Sequence, residues 1–125
     1  MSKTLVYVDG SGWNGREVKY CVLWGTAGGE WKHKIVRSHS EKTNNEMEYE
    51  GVIHAMREFK KAAIFSDSEL VVNQVNGVYK VRQAHLMPLR DEARRLMKLN
   101  GNTLVWVPRD ENKAGVILDN GKGYE

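Results

Sequence analysis

The residues best suited to chemistry in this chain are three acids set far apart, Asp9, Glu48 and Asp67. Asp9 follows the apolar run Thr4-Leu-Val-Tyr-Val8, and Asp67 follows Ala62-Ala-Ile-Phe65 after one serine. Each stands at the C-terminal end of a strand-like run, the edge where ligands gather in α/β sheets with parallel strands. Glu48 belongs to a helical stretch between them. At helical spacing it shares a stripe with Val52, Ala55, Met56 and Phe59, while Glu46, Glu50 and Arg57 fall opposite. An acid on an apolar stripe is costly unless it is paired or binds a metal. If the two strands are neighbours, the three carboxylates converge, and such a cluster cannot stay ionised without a cation. Hard oxygen donors suit Mg2+ or Mn2+. Two such ions about 3.5–4 Å apart would activate a water and stabilise the leaving oxygen in phosphodiester hydrolysis.

Each acid also has an ordinary local role open to it. Asp9-Gly10 is a common turn. Asp67 can cap the helix that follows it. Glu48 stands three residues after Asn45, the spacing of a capping box. Their joint placement is what favours a site. Other constellations carry less: His33, His39, His54 and His85 lack metal-ligand spacing, and Ser66 and Ser68 lack a nucleophile-elbow context. The glycines from Gly25 to Gly29 read as a hairpin rather than a phosphate loop, because no helix follows directly.

The elements that must position the acids follow from pattern. Thr4–Val8 reads as a buried strand, ended by a turn at Asp9-Gly10-Ser11-Gly12. Val18–Trp24 alternates, with Val18, Tyr20, Val22 and Trp24 on one face; a third strand begins at Trp31, giving an antiparallel meander. Thr43, Asn44 or Asn45 caps a helix from about Asn44 to Lys60. Ala62–Phe65 is a fourth strand; its crossover from the first implies parallel pairing. Ser66-Asp67-Ser68 caps a helix from Glu69 to Asn76, closed by Gly77. A further helix from about Pro88 to Leu99 has the stripe Leu86, Leu89, Ala93, Leu96 and Met97 and stops at Asn100-Gly101. Thr103–Val107 is the fifth strand, and a short helix to about Asn120 precedes a frayed tail at residues 121–125. The expectation is one α/β domain over residues 1–125: a mixed five-stranded sheet, three antiparallel strands then two parallel, with helices on both faces.

Composition sets outer bounds. The chain has 125 residues, 41% hydrophobic and 28% charged, the make-up of a soluble domain. It has no run of about 18 apolar residues and no signal-peptide pattern, and Cys21 is the single cysteine. These features point to a cytoplasmic protein without a membrane span, a disulfide within the chain or a zinc–cysteine cluster. A net charge of +3 and a pI near 9.0 permit a nucleic-acid partner without demonstrating one. Nothing indicates an obligate protein partner, so a monomer is the default.

Taken together, Tyr7-Val-Asp9-Gly-Ser11, Thr43-Asn-Asn-Glu-Met-Glu48-Tyr49, Ser66-Asp67-Ser68-Glu-Leu70 and Trp106-Val-Pro-Arg109 through Asn112 resemble the type 1 ribonucleases H in order and spacing. The resemblance spans nearly the whole chain and implies a ribonuclease H-like fold. It implies hydrolysis of the RNA strand of RNA–DNA hybrids with two divalent ions, Mg2+ or Mn2+, held by Asp9, Glu48 and Asp67. Asn44 and Asn45 would reach base edges and sugars in the minor groove. Gly10, Ser11 and Thr43 would lie along the substrate backbone. Recognition of 2′-OH groups would separate RNA from DNA.

Three departures qualify that likeness. Many members carry a basic helical protrusion after the second helix; here only Gly77–Ala84 connects, as in the compact archaeal-like and some bacterial forms, with Lys80 and Arg82 as partial substitutes. The loop Pro108–Glu111 lacks the histidine many members place there; Arg109 can hold a phosphate but cannot shuttle protons. A fourth acid of the final helix would fall on Gly115 or Val116. The amide oxygen of Asn112 is the favoured replacement ligand, followed by Asp119 or Asn120. The alternative to an enzyme is therefore a catalytically weak or inactive hybrid-binding domain of the same fold. A junction resolvase or transposase-like nuclease is a third reading.

Overall fold

A computed structural model of the chain describes residues 3–123, with side chains through residue 119. Strands β1 (Leu5–Ser11), β2 (Val18–Gly25) and β3 (Trp31–Ser38) form the antiparallel meander. Helix α1 (Asn44–Glu58) then crosses to β4 (Ala63–Ser66), which pairs parallel with β1. Helices α2 (Glu69–Val75) and α3 (Met87–Asn100) lead to β5 (Thr103–Trp106), parallel to β4, and α4 (Lys113–Gly123) follows. The sheet order is β3-β2-β1-β4-β5, the mixed five-stranded arrangement expected.

Strand alternation sends side chains to two faces. Val6 and Val8 of β1, Tyr20 and Val22 of β2 and Ile64 of β4 pack against Tyr49, Val52 and Met56 of α1 and against α2 and α3. Cys21 and Leu23 point the other way, onto Ala114 and Leu118 of α4, with Tyr7, Trp31 and Ile35 beside them. Each large side chain fully buried in this way stabilises the fold by about 1.5–3 kcal/mol. Helices therefore lie on both faces, and α4 sits on the face to which Tyr7 and Asp9 point.

Several boundaries differ from the pattern reading. β1 does not turn at Asp9-Gly10. Gly10 and Ser11 continue in register with Tyr20 and Lys19, because β2 is long enough to offer them ladder partners. α1 stops at Glu58, short of Lys60. Phe59 turns extended and packs on Trp24, and the side-chain amide of Asn102 donates to the Met56 and Phe59 carbonyls, satisfying the helix end. α2 ends at Val75, with Asn76 as its cap. α4 runs three residues past Asn120, so the expected tail is helical to Gly123, and the rest of that tail, residues 124 and 125, lies outside the described residues.

Candidate metal centre

Parallel pairing sets Val8 of β1 opposite Ser66 of β4, so the next residues, Asp9 and Asp67, emerge side by side at one sheet edge. Helix α1 brings the third acid. Its capping box is made by Thr43 and Glu46: the Thr43 hydroxyl accepts from the Glu46 N–H at 3.2 Å, and Glu46 accepts from the Thr43 N–H at 3.0 Å. Glu48 is thus not used in capping. Its Oε1 accepts the Gly10 N–H of β1 at 2.6 Å. Such proximity requires glycine, since a Cβ on Gly10 would lie 2.5 Å from the Met47 carbonyl carbon. A second tie is made two residues on, where the Gly12 N–H donates to Asn44 Oδ1 at 2.6 Å. Asp67 is likewise no cap: the Ser68 hydroxyl accepts from the Val71 N–H at the start of α2. The Trp106 indole N–H donates to the Asp67 carbonyl at 3.2 Å and fixes that backbone.

Asp9, Glu48 and Asp67 each offer a carboxylate oxygen, and these oxygens lie within 4.8 Å of one another. Asp9 is 3% exposed and Glu48 9%. Burial, followed by the charge of Asp67, pushes the Asp9 carboxyl up to about 6; the Arg109 guanidinium opposes this in part. Burial and the charges of Asp9 and Asp67 push Glu48 up to about 9, and a hydrogen bond joins the Glu48 and Asp9 carboxyls. Among the described residues no cation forms an ion pair with any of the three acids. Buried carboxylates without a counter-charge destabilise the fold. A divalent cation among them would supply that counter-charge, and the all-oxygen donor set fits Mg2+ or Mn2+.

The expected fourth ligand takes a different part in the geometry. Asn112 is fully buried. Its Oδ1 accepts from the Ala114 N–H at 3.1 Å, capping α4. Its Nδ2 donates to the Val8 carbonyl at 2.8 Å and to Asp67 Oδ2 at 3.0 Å. Only the amide nitrogen can donate to a carbonyl, so the Val8 contact fixes which end faces Asp67. Asn112 steadies Asp67 and offers the cluster a donor rather than an oxygen. Asp119 is exposed, one turn beyond Gly115, and the side chain of Asn120 lies outside the described residues. Of the two positions where a fourth acid was expected, Gly115 faces the cluster: a Cβ there would lie 3.2 Å from Asp9 Oδ2 and 4.0 Å from Asp67 Oδ2. Val116 is 54% exposed.

Residues with expected substrate contacts line the same edge. Thr43 and Asn44 are exposed, and Asn45, Gly10 and Ser11 are partly so. Arg109 is exposed on a single 3-10 turn, Arg109–Glu111. A groove of about 500 Å3 runs from Asn45 past Leu70 and Gln74 to Tyr79, Lys80 and Arg82. Its wall is held in place by the Val78 and Tyr79 N–H groups, which both donate to the Asn73 carbonyl. The pattern reading missed Gly12, Gln74 and the Trp106 bond. Gln74 is 3% exposed and accepts from the Tyr49 hydroxyl at 2.6 Å. A polar residue three positions after Val71 on a buried stripe was the available signal.

A family model described as RNase H matches residues 1–106. The bifunctional protein Rv2228c of Mycobacterium tuberculosis is 34% identical over 99 residues, which cover 70% of this chain and 27% of that protein. The chain thus spans about a quarter of the length of the curated relatives it matches. Two solved structures share the fold. RNase H1 from the halophilic archaeon Halobacterium salinarum has a TM-score of 0.83 at 21% identity, covering 98% of this chain and 99% of that one. LC11-RNase H1 in complex with an RNA/DNA hybrid has a TM-score of 0.79 at 24% identity, covering 98% and 100%. With a match across 106 residues, a shared sheet order and three acids gathered at the sheet edge, the chain belongs to the ribonuclease H family.

Proposed function

We propose that the chain is a metal-dependent endoribonuclease that hydrolyses the RNA strand of RNA–DNA hybrids, with two Mg2+ or Mn2+ ions per site. The observation that carries this reading is the meeting of Asp9, Glu48 and Asp67 from three separate elements, with no cation among the described residues in an ion pair with them. These three side chains would hold the ions. Bound divalent ions supply Lewis-acid activation of water and neutralisation of the leaving oxygen. The remaining residues position and recognise. The Gly10 N–H and the Asn112 amide fix the orientation of Glu48 and Asp67. Arg109 stands close enough for its charge to act on Asp9 and would take a phosphate of the bound strand. Asn44 has its oxygen engaged by Gly12, leaving its NH2 as the group available to base edges. Ser11, Thr43 and Asn45 border the same edge, and the groove with Tyr79, Lys80 and Arg82 offers cationic and aromatic groups to a polyanionic strand. The hybrid bound by LC11-RNase H1, which shares the fold, supports this choice of substrate.

The second reading is a domain of the same fold that binds hybrids and cuts them weakly or not at all. The bare Gly115 wall and the absence of histidine from Pro108–Glu111 favour it. A strand-labelled RNA–DNA duplex incubated with Mg2+ or Mn2+, beside RNA–RNA and DNA–DNA duplexes, separates the readings. Cutting of RNA in the hybrid alone is the expected result. Tight binding without cutting in either metal selects the second reading, and cutting of DNA–DNA refutes both.

A further inference from the structure

The turn between β1 and β2 presents two side chains that the fold does not employ. Three of the four tryptophans have a structural partner: Trp24 packs on Phe59, Trp31 on Tyr7, and the Trp106 N–H donates to the Asp67 carbonyl. Trp13 is 38% exposed and belongs to neither hydrophobic cluster. Among the described residues its ring takes part in no ring pair or hydrogen bond. Arg16 is exposed and forms no ion pair among them. The backbone that carries both is nevertheless tied down. The Trp13 N–H donates to the Lys42 carbonyl at 2.9 Å, and Asn14 Oδ1 accepts the Arg16 and Glu17 N–H groups, each at 2.9 Å. His39 Nδ1 donates to the Arg16 carbonyl at 3.0 Å, and Arg37 pairs with Glu17 at 2.6 Å. Gly15 supplies the positive φ, 93°, that the turn requires. An indole and a guanidinium displayed on a backbone fixed in this way lose little freedom on meeting a ligand.

The turn leans on Lys42 and Asn44 at the start of α1. The groove with Tyr79, Lys80 and Arg82 starts at Asn45, and no residue of the turn lines it, so the two are separate surfaces beside the same sheet edge. An aromatic face next to an unpaired cation suits nucleic acid. A duplex stacks its base faces inward and offers its flank as sugars and phosphates, so a ring outside it meets a sugar rather than a base. Reach limits where this contact falls. Trp13 stands four residues after Asp9, and an extended chain spans about 3.3–3.6 Å per residue, so the two Cα atoms are no more than about 14 Å apart. That is about four duplex steps of 3.4 Å, and the length of the indole adds roughly one or two more. We infer that the Trp13 turn is a second contact for the hybrid, outside the groove: the indole packs on a sugar within about six base pairs of the cut, and Arg16 takes a phosphate beside it. This rests on the reading of the hybrid as substrate and of Asp9, Glu48 and Asp67 as the cutting site.

The test reads binding rather than turnover. Anisotropy of an end-labelled duplex is followed in EDTA, where no metal-dependent cutting runs; the duplex is DNA with a short RNA block in one strand, which fixes the register of the protein. Trp13→Ala should weaken binding about tenfold, and Trp13→Phe should keep most of the affinity. Arg16→Ala should lower the slope of binding against salt by about 1. The duplex is then trimmed from each end in turn. On one side, wild type and Trp13→Ala should converge once the trimmed end has passed the turn, within about six base pairs of the RNA block; a merely structural role for Trp13 would weaken binding at every length alike. If Trp13→Ala fails to fold, tryptophan emission decides: the hybrid should change the emission of wild type more than that of Trp13→Phe. Equal affinities of wild type and Trp13→Ala, a loss that survives trimming from both ends, or equal emission changes would overturn the inference and leave the hybrid reading intact. Failure of the wild-type protein to bind the hybrid at all would overturn that reading instead.

Discussion

Glu48→Gln removes one charge from the cluster while keeping an oxygen that can accept the Gly10 N–H, now 2.6 Å from Glu48 Oε1. In the ion-free protein the Glu48 carboxyl is raised from 4.5 to about 9 by burial and then by the charges of Asp9 and Asp67. Between those values the folded state holds a proton that the unfolded state has released. Stability from this group is complete below about 4.5, falls as pH rises, and levels off above about 9. The slope is about 1.4 kcal/mol per pH unit, which accumulates to roughly 3 kcal/mol by pH 7. Asp9, raised from 3.8 to about 6, acts in the same direction over a lower window, and its effect overlaps with that of Glu48 because the two carboxyls are hydrogen-bonded. The Gln variant lacks the Glu48 part. In the presence of EDTA its melting temperature should match wild type near about pH 5 and exceed it by on the order of 10 °C near about pH 7. Scanning calorimetry across that range reads the effect. Parallel Tm–pH curves would refute the claim that Glu48 is an uncompensated buried acid. With EDTA replaced by Mg2+ or Mn2+, wild type should gain stability and the variant should gain much less; equal gains would place the ions elsewhere.

Gly10→Ala puts a methyl group 2.5 Å from the Met47 carbonyl carbon and oxygen, main-chain atoms that cannot rotate away. Urea unfolding should show a loss of about 3 kcal/mol or more as α1 lifts from β1, with cleavage lost alongside it; a neutral result would mean that α1 does not rest on this strand. Asn112→Asp replaces the donor to the Val8 carbonyl with an acceptor and sets a like charge 3.0 Å from Asp67. It should destabilise the ion-free protein by about 2–4 kcal/mol without tightening Mn2+ binding; tighter binding in calorimetry would restore Asn112 as a ligand. Changing Lys80 and Arg82 together to Ala should raise KM for the hybrid, leave kcat unchanged and flatten the salt dependence of binding by a slope of about 1 to 2. An unaltered salt slope would remove the groove beside α2 from the substrate path.

Much of this architecture was legible in order and pattern alone. Alternation in β2 and the helical stripes of α1 and α3 depend on neighbours two to four residues apart, and those neighbours are written side by side in the chain. The same stripe exposed Glu48 as an acid facing inward, and the strand ends marked Asp9 and Asp67. The local alternatives were another matter. Glu48 after Asn45 and Glu46 after Thr43 have the same capping-box spacing, and only packing of α1 against Gly10 and Gly12 selects the second pair. Asp9-Gly10 reads as a turn until β2 extends far enough to hold Gly10 and Ser11 in the sheet. Asn112 was legible as a polar residue at a helix start, but the direction of its amide depends on the Val8 carbonyl, 104 positions away in sequence. Likewise, Gly115 rather than Val116 faces the acids because α4 lies over β1 and β2 at one particular rotation, set by Ala114 and Leu118 against Cys21 and Leu23. The sequence by itself determined which acids stand at strand ends and on the inward stripe of a helix. Tertiary structure decided which of their atoms face one another, because those orientations are fixed by hydrogen bonds and close contacts between segments far apart in the chain.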